Sequence, residues 1–168
     1  ATKFSSVLLG ANKTYETTLK LGFMSTTGDA EGEISQVAAT VQNPAFSACE
    51  QTIQDFIGPI MQTPPMYSAL KHQGKPLYAY ARGGEIIERQ AREIIIHGIQ
   101  IQSLLHNELQ LNIHCGTGTY IRTLAEDIGK ALGCGGAYLL SLRRTAIDRF
   151  QVTQAHTLLA LEEMNAAE

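Results

Sequence analysis

The stretch "CGTGTYIRTLAEDIG", residues 115–129, runs from the end of a strand pattern through a glycine-rich turn into a helical repeat. The apolar stripe that indicates a buried helix face consists of Ile121, Leu124, Ile128 and Leu132. Arg122 falls in the first turn of this helix, where the helix dipole makes a cation unfavourable by roughly 0.3–1 kcal/mol. An anion from outside the helix is therefore one partner to expect for this guanidinium, whose fork suits a carboxylate or a phosphate.

Spacing alone favours a simpler interpretation of Arg122, namely a surface arginine that pairs with Glu126, although this order is the weaker one for such a pair. The GTGT turn lacks the Gly-Lys-Ser/Thr that makes a phosphate-binding loop specific. Tyr15, at the start of an alternating strand pattern, also has two possible interpretations. It is either a core tyrosine, which the spacing favours, or a platform on which a base stacks.

The composition describes one globular domain of 168 residues, with 44% hydrophobic and 17% charged residues. No apolar run approaches the roughly 18 residues of a membrane helix, so we expect no membrane association. Three widely spaced cysteines and the absence of a Cys-x-x-Cys pair argue against a disulfide framework and a zinc knuckle. The histidines show no ligand spacing, so we expect no metal, and a reducing cytoplasm is the simplest location.

The net charge of −3 argues against bulk nucleic-acid binding, but the charge is unevenly distributed. Residues 71–92 hold five Lys and Arg against two Glu, a local net charge of +3. Aromatic rings alternate with cations in this part of the chain, a pattern that suits looped or single-stranded RNA. The candidate RNA-binding residues are Tyr67, Lys71, Lys75, Tyr78 and Arg82. A surface excursion packed by its own aromatic residues remains the alternative.

Hydrophobic periodicity predicts α+β architecture, with a mixed, mostly antiparallel sheet and flanking helices. The predicted strands are "TYETTLKLGF", "EIIIHGIQIQSLL", "ELQLNIHC" and "TAIDRFQV", the second and third joined by "HN". The predicted helices outside the opening stretch are "SACEQTIQDFIG" with a Ser47–Glu50 capping box and a stop at Gly58, "LYAYAR", and "TLLALEEM" with Thr157 as its cap. The chain from Pro59 to the start of "LYAYAR" is expected to be an irregular connection.

Several motifs occur in one order along almost the whole chain: "ATKF", "NKTYE", "LGFMSTTGDAEGE", "QTPPMYSALKHQGKPLYAYAR" and "IHCGTGTYIRTLAEDIGKALGCGGAYLLSLRRTAIDRF". In this order they closely resemble the TruB family of tRNA pseudouridine synthases. The long "PPMYSALK" segment is similar to the bacterial branch of that family. The resemblance implies the pseudouridine synthase catalytic fold. It also implies isomerisation of a T-loop uridine in tRNA, with base flipping and without a metal or an organic cofactor.

The resemblance also implies roles for individual residues. Tyr15 matches the family's tyrosine that packs on the flipped uracil and is a proposed participant in the proton step, and Arg122 matches the arginine that pairs with the catalytic aspartate. Leu142 matches an apolar residue of the uracil pocket, and we place Tyr120 in the same pocket. Residues 59–92 match the segment that closes on the tRNA T-arm stem-loop, an RNA-contacting insertion within the domain.

The sequence departs from the family at the catalytic group, because it contains no Gly-x-Leu-Asp-x-x-Ala-Thr-Gly motif. Asp29 matches a different, loop aspartate. We therefore expect residues 1–168 to be a partial catalytic domain that lacks the amino-terminal aspartate segment and the carboxyl-terminal RNA-binding domain. The chain alone should be inactive, and Arg122 should turn toward solvent, Glu126 or a bound anion, or be poorly ordered. A non-catalytic tRNA-binding module and a tRNA-folding chaperone are the alternatives.

Overall fold

The computed structural model describes residues 8–37 and 44–166 of the chain. The strands of its main sheet are β1 (Lys13–Leu21), β4 (Gly58–Gln62), β7 (Arg92–Leu105), β8 (Glu108–Cys115), β9 (Ala137–Ile147) and β10 (Phe150–Gln151). They lie in the order β10-β9-β1-β8-β7-β4, and each neighbouring pair is antiparallel. The remaining strands form two small hairpins, β2 (Phe23–Ser25) with β3 (Ile34–Gln36), and β5 (Lys71–His72) with β6 (Lys75–Pro76).

The α-helices in the described ranges are α1 (Phe46–Gln54), α2 (Leu77–Arg82), α3 (Ile121–Ala131) and α4 (Leu158–Ala166). With the antiparallel sheet they confirm the predicted α+β class. The alternation in β1 explains which face the helices cover, because Leu19 and Leu21 are fully buried while Glu16 is exposed. None of these helices is long and apolar enough to cross a membrane.

Helix α3 packs its predicted stripe on the buried face of the sheet. Leu124 and Ile128 are 0% exposed, and they belong to the same core as Leu19 and Leu111. Gly129 lets the helix approach the start of β9 very closely. A Cβ atom on Gly129 would lie 2.3 Å from the carbonyl carbon of Gly136, which is too close for any side chain.

Two local predictions about chain reversal and capping are confirmed. The predicted "HN" turn joins β7 to β8, and His106 and Asn107 both have positive φ angles, 50° and 61°. Positive φ at both central residues matches the twist of a two-residue hairpin turn. At α4 the predicted cap forms, because the backbone N–H of Ala160 donates to the Thr157 hydroxyl at 3.2 Å.

Three local predictions are wrong. Helix α1 begins at Phe46, with Ala45 at its cap position and no side-chain capping bond, so the Ser47–Glu50 box does not form, and the helix ends at Gln54, before Gly58. The segment "TAIDRFQV" is not a separate strand. Its first residues continue β9 up to Ile147, and the chain then turns at Asp148, which has a φ of 50°.

The third wrong prediction concerns the start of the 59–92 segment, which was expected to be irregular. Residues 58–62 instead form the edge strand β4, which pairs with β7 from Gly58 opposite Ile96 to Gln62 opposite Arg92. Pro59 is tolerated because a strand at the sheet edge does not need every N–H for pairing. The predicted helix "LYAYAR" is confirmed as α2.

We predict that Gly129→Ala is strongly destabilising, although alanine is the better helix former. The added methyl group meets main-chain atoms of Gly136 and Ala137, which cannot move without separating α3 from β9. We expect a loss of at least about 3 kcal/mol, the upper end for overpacked cores, measured by urea unfolding. The matched control is Gly98→Ala, because a Cβ there meets nothing within 4 Å. Equal stability of the two variants would contradict the close approach.

Candidate functional site

The guanidinium of Arg122 is held by acceptors from two distant segments. Its Nη1 donates to the main-chain carbonyl of Thr27 at 3.1 Å and to Oδ2 of Asp29 at 3.2 Å. Its Nη2 donates to the carbonyl of Tyr67 at 2.7 Å. Among the described residues, these contacts use three of the five N–H donors that a guanidinium carries. Two donors are left for a further acceptor.

Asp29 is itself held in place by its own loop. Its Oδ1 accepts from the Thr27 hydroxyl at 2.6 Å and from the backbone N–H of Glu31 at 3.2 Å, which leaves Oδ2 for Arg122. The aspartate therefore closes an Asx-type turn and pairs with the cation at the same time. The loop is fixed to the sheet by a bridge between Asp29 and Leu139 of β9.

Gly28 allows the loop to lie directly against α3. Its φ is +79°, and a Cβ atom there would stand 3.2 Å from the Cβ of Arg122. A side chain at this position would be strained in its backbone and would push the helix away from the loop. The short path from Thr27 to Asp29 can therefore wrap around the arginine.

This geometry corrects the expectation that Arg122 has no partner and turns to solvent or Glu126. Glu126 pairs with Lys130 instead. The dipole penalty of roughly 0.3–1 kcal/mol is smaller than the gain from hydrogen bonds to a charged group, about 1.5–3 kcal/mol each when buried. Arg122 and Asp29 are 27% and 31% exposed, so solvent screens part of this gain, but three acceptors together still outweigh the dipole.

Tyr15 and Leu142 lie on the neighbouring strands β1 and β9. Tyr15 of β1 is 7% exposed and lies opposite Arg144 of β9, whose guanidinium carbon is 5.6 Å from the centre of the tyrosine ring. Leu142 lies opposite Thr17 and is 48% exposed. Register partners share a face of the sheet, so Leu142 is a diagonal neighbour of Tyr15, which itself belongs to the buried core.

Strand β9 links this pair to the Arg122 site. Asp29 bridges to Leu139, and Leu142 follows three residues later, about 10 Å along an extended strand. Among the described residues, Tyr15 and Leu142 lie outside the lining of the cavity beside Arg122. Of these sequence-predicted residues, Leu142 lies on β9 and Tyr15 on the neighbouring strand β1. Arg122 lies on α3 and is linked to β9 through the loop of Asp29.

Tyr120 occupies the N-cap position of α3, and hydrogen bonds of its main chain hold it in place. Its N–H donates to Oε1 of Gln62 at 2.8 Å, and its carbonyl accepts from Nε2 of Gln62 at 3.1 Å. The carbonyl also accepts the first helical bond, from the N–H of Leu124. The side chain of Tyr120 is half-buried.

A cavity of about 430 Å³ opens beside Arg122. Its walls are residues 25–28, residues 63–67, Arg89 and the outer face of α3, including Asp127. Burial raises the pKa of the Asp127 carboxyl, and nearby Glu126 raises it further, while Lys130 acts in the opposite direction. Within the described ranges, no group of three or more His, Cys, Asp or Glu side chains is arranged to hold a metal ion.

The predicted RNA-binding residues fall on the β5–β6 hairpin, on α2 and at Tyr67. Lys71, Lys75, Tyr78 and Arg82 are all exposed. The Nζ of Lys75 lies 4.3 Å from the centre of the Tyr80 ring, and Arg82 lies 5.4 Å from that of Tyr78. Tyr67 is separate from this group, because it lines the Arg122 cavity and binds Arg122 through its carbonyl.

Two residues of the site were missed from the sequence. The pairing of Asp29 with Arg122 spans 93 positions, and the family resemblance marked Asp29 only as a loop aspartate, without this partner. Gln62 had no signal, since it ends a strand that was expected to be irregular. It is nevertheless one of three buried polar residues in the described part of the chain, and it is 2% exposed.

Comparison with protein families gives two matches that together cover the chain. Residues 1–121 match the amino-terminal domain of the TruB family pseudouridylate synthases, and residues 122–168 match the carboxyl-terminal domain of tRNA pseudouridylate synthase B. The border between the two does not divide the fold, because β9 pairs with β1 in one sheet.

Similar proteins and structures agree with these matches. The chain is 58% identical to tRNA pseudouridine synthase B of Nitrosospira multiformis over 98% of its own length and 53% of the relative, and 54% identical to that of Nitrosomonas europaea over 96% and 53%. It thus spans about half the length of these curated relatives. Among solved structures, a chain in a Cbf5–Nop10–Gar1 complex superimposes on this protein with a TM-score of 0.65 and 26% sequence identity. The superposition covers 90% of this chain and 35% of the chain in the complex.

We predict that Asp127→Asn raises the melting temperature near neutral pH, because the folded protein then buries no charge at this position. Because the pKa of Asp127 is raised in the folded protein, its carboxyl favours folding fully only at pH values below its ordinary pKa of 3.8. That contribution to stability is lost as the pH rises through the folded-state pKa. The gain should therefore vanish below that value, as thermal melts across pH will show. Glu88→Gln, an exposed acid changed to its amide, is the control. A gain that does not depend on pH would refute the explanation by burial.

Proposed function

Because the chain belongs to the TruB family of pseudouridylate synthases, we propose that it forms part of an enzyme that converts a uridine in the T-arm of tRNA to pseudouridine. The observation that carries the proposal is the Arg122 site, a guanidinium fixed in a cleft with two N–H donors left over by the described residues. A second carboxylate would fit these donors as a bidentate partner. The family's catalytic aspartate is that carboxylate in this proposal, and its motif is absent from the sequence.

The roles proposed for the remaining residues come from the family resemblance. Tyr15 offers its ring to the target base, and Leu142 supplies an exposed apolar surface beside it. We assign Tyr120 to the same pocket, although its observed main-chain contacts are with Gln62 of β4. Arg122 holds and orients the aspartate that attacks the base. The support is that Tyr15 pairs in register with Arg144 of β9, two residues from Leu142, while the Asp29 loop that holds Arg122 bridges to Leu139 of the same strand.

Residues 59–92 are proposed to contact the tRNA stem-loop as a unit within the partial catalytic domain. The hairpin β5–β6 and α2 present Lys71, Lys75, Tyr78 and Arg82 on their surface. Cations next to exposed rings bind the phosphates and the bases of looped RNA. The segment also reaches the catalytic cleft, since Tyr67 is bonded to Arg122. We place the protein in the cytoplasm, where its three buried, unpaired cysteines stay reduced.

We predict that this chain alone binds a T-arm stem-loop but forms no pseudouridine, because its RNA-contacting residues are present and the proposed aspartate is not. The measurement is base conversion in an unmodified stem-loop, together with its binding affinity. The control is a joined enzyme, in which a segment that carries the family's Gly-x-Leu-Asp-x-x-Ala-Thr-Gly motif is placed before Ala1. The joined enzyme should convert the uridine. Turnover by the chain alone would show that another group carries out the chemistry.

We predict that Arg122→Lys in the joined enzyme folds and binds RNA but loses roughly 100-fold or more in the rate of conversion. An ammonium group cannot reproduce a fork that contacts Asp29, two carbonyls and a further carboxylate at once. Single-turnover kinetics at saturating RNA measure the effect. Arg149→Lys, at an exposed arginine of the β9–β10 turn, is the matched control. Conversion at the unchanged rate would reduce Arg122 to a structural role.

A further inference from the structure

The buried side chain of Gln62 makes the same pair of hydrogen bonds to a main chain that a neighbouring β-strand would make. It ends β4, it is 2% exposed, and both polar atoms of its amide bind the main chain of Tyr120. The Oε1 atom accepts from the N–H and Nε2 donates to the carbonyl, as the backbone of an adjacent strand would. A buried amide with both functions satisfied fixes the position of its partner closely.

The partner of Gln62 is the residue that starts the arginine helix. Tyr120 has extended backbone angles, φ −102° and ψ 107°, and α3 has no side-chain cap of its own. The carbonyl of Tyr120 accepts from both Gln62 and the N–H of Leu124, so Gln62 supports the first helical hydrogen bond. Arg122 follows two residues later. A shift of Tyr120 therefore moves the guanidinium directly.

Gln62 also begins the other wall of the cavity. Residues 63–67 leave β4 immediately after it and end at Tyr67, whose carbonyl accepts from Arg122 at 2.7 Å. Between these ends, Nη1 of Arg89 donates to the carbonyl of Pro64 at 3.4 Å. Residues 62–67 and 120–122 are thus closed into a ring, with two hydrogen bonds at Gln62 and one at Tyr67.

We propose that Gln62 is a positioning residue for Arg122, which sets the start of α3 and holds it in register with residues 63–67. This role rests on the proposed function, because it matters for the rate only where Arg122 acts on the reaction. It is distinct from RNA binding, since Gln62 is buried and the exposed cations of the segment lie beyond it. A change at Gln62 should lower the rate at saturating RNA and leave the affinity for RNA unchanged.

The decisive variant is Gln62→Glu in the joined enzyme. The ionised carboxylate still accepts from the Tyr120 N–H but repels the Tyr120 carbonyl, and burial without a cation raises its pKa. Once protonated, the acid again donates to the carbonyl and restores both bonds. At about pH 8 we expect a rate roughly 10- to 100-fold below that of the unchanged enzyme, and the ratio of the two rates should approach one near about pH 5.5.

Two further variants separate this effect from others. Methionine has a similar size to glutamine but can neither donate to nor accept from Tyr120. The reduction in conversion rate caused by Gln62→Met should therefore not depend on pH. Gln100→Glu makes the same chemical change at an exposed position of β7 and should alter nothing. If Gln62→Glu and Gln62→Met convert RNA at the unchanged rate while folded, or lose only affinity for RNA, Gln62 does not position Arg122.

A spectroscopic readout makes the test independent of activity and of folding yield. Nitrogen-15 signals of the Arg122 guanidinium should be resolved in the unchanged joined enzyme and broadened in Gln62→Met. Gln62→Glu can be prepared folded at about pH 5.5 and shifted to about pH 8, where its signals should broaden. If the unchanged joined enzyme makes no pseudouridine, the proposed function fails, and these signals alone decide the positioning. Identical spectra in all variants would overturn the inference.

Discussion

The guanidinium of Arg122 cannot be stabilised by its own helix, and this constraint determines how three parts of the chain meet. Its acceptors come from the loop after β2, where Thr27 is 95 positions away in sequence, and from Tyr67, which is 55 positions away. Each acceptor is a main-chain carbonyl or a carboxylate that is already fixed in its own turn. The cation thus acts as a link between the loop, the segment after β4 and the sheet, and the cavity is the space that these parts enclose.

The sheet supplies the rigid reference for this link. Strand β9 pairs with β1 along nine register positions, and the loop of Asp29 bridges to the same strand. Helix α3 lies directly against the residues before β9, because Gly129 has no side chain to separate its backbone from that of Gly136. The position of Arg122 relative to β9 is therefore set by packed backbone as well as by side chains.

Periodicity was sufficient where burial follows a local pattern, as in β1, β8 and the stripe of α3. It failed at β4, because a five-residue strand with Pro59 near its start reads as a turn, and only pairing with β7 makes it extended. It also failed for the partners of Arg122 and Tyr120, since a contact between residues 93 or 58 positions apart leaves no local trace. The places of Tyr15, Arg122 and Leu142 in a site came from the family resemblance, while spacing favoured ordinary roles for Arg122 and Tyr15.

The charge balance around Arg122 bears on how the proposed enzyme would work. Asp29 already forms an ion pair with the guanidinium. A second, catalytic carboxylate would therefore share the positive charge with Asp29. Repulsion from Asp29 then limits how strongly the second carboxylate is stabilised as an anion. A nucleophilic carboxylate must be ionised and held in position for attack. Two carbonyls and one carboxylate hold the arginine firmly. In the proposed enzyme, the two donors that remain would orient the second carboxylate without neutralising it completely.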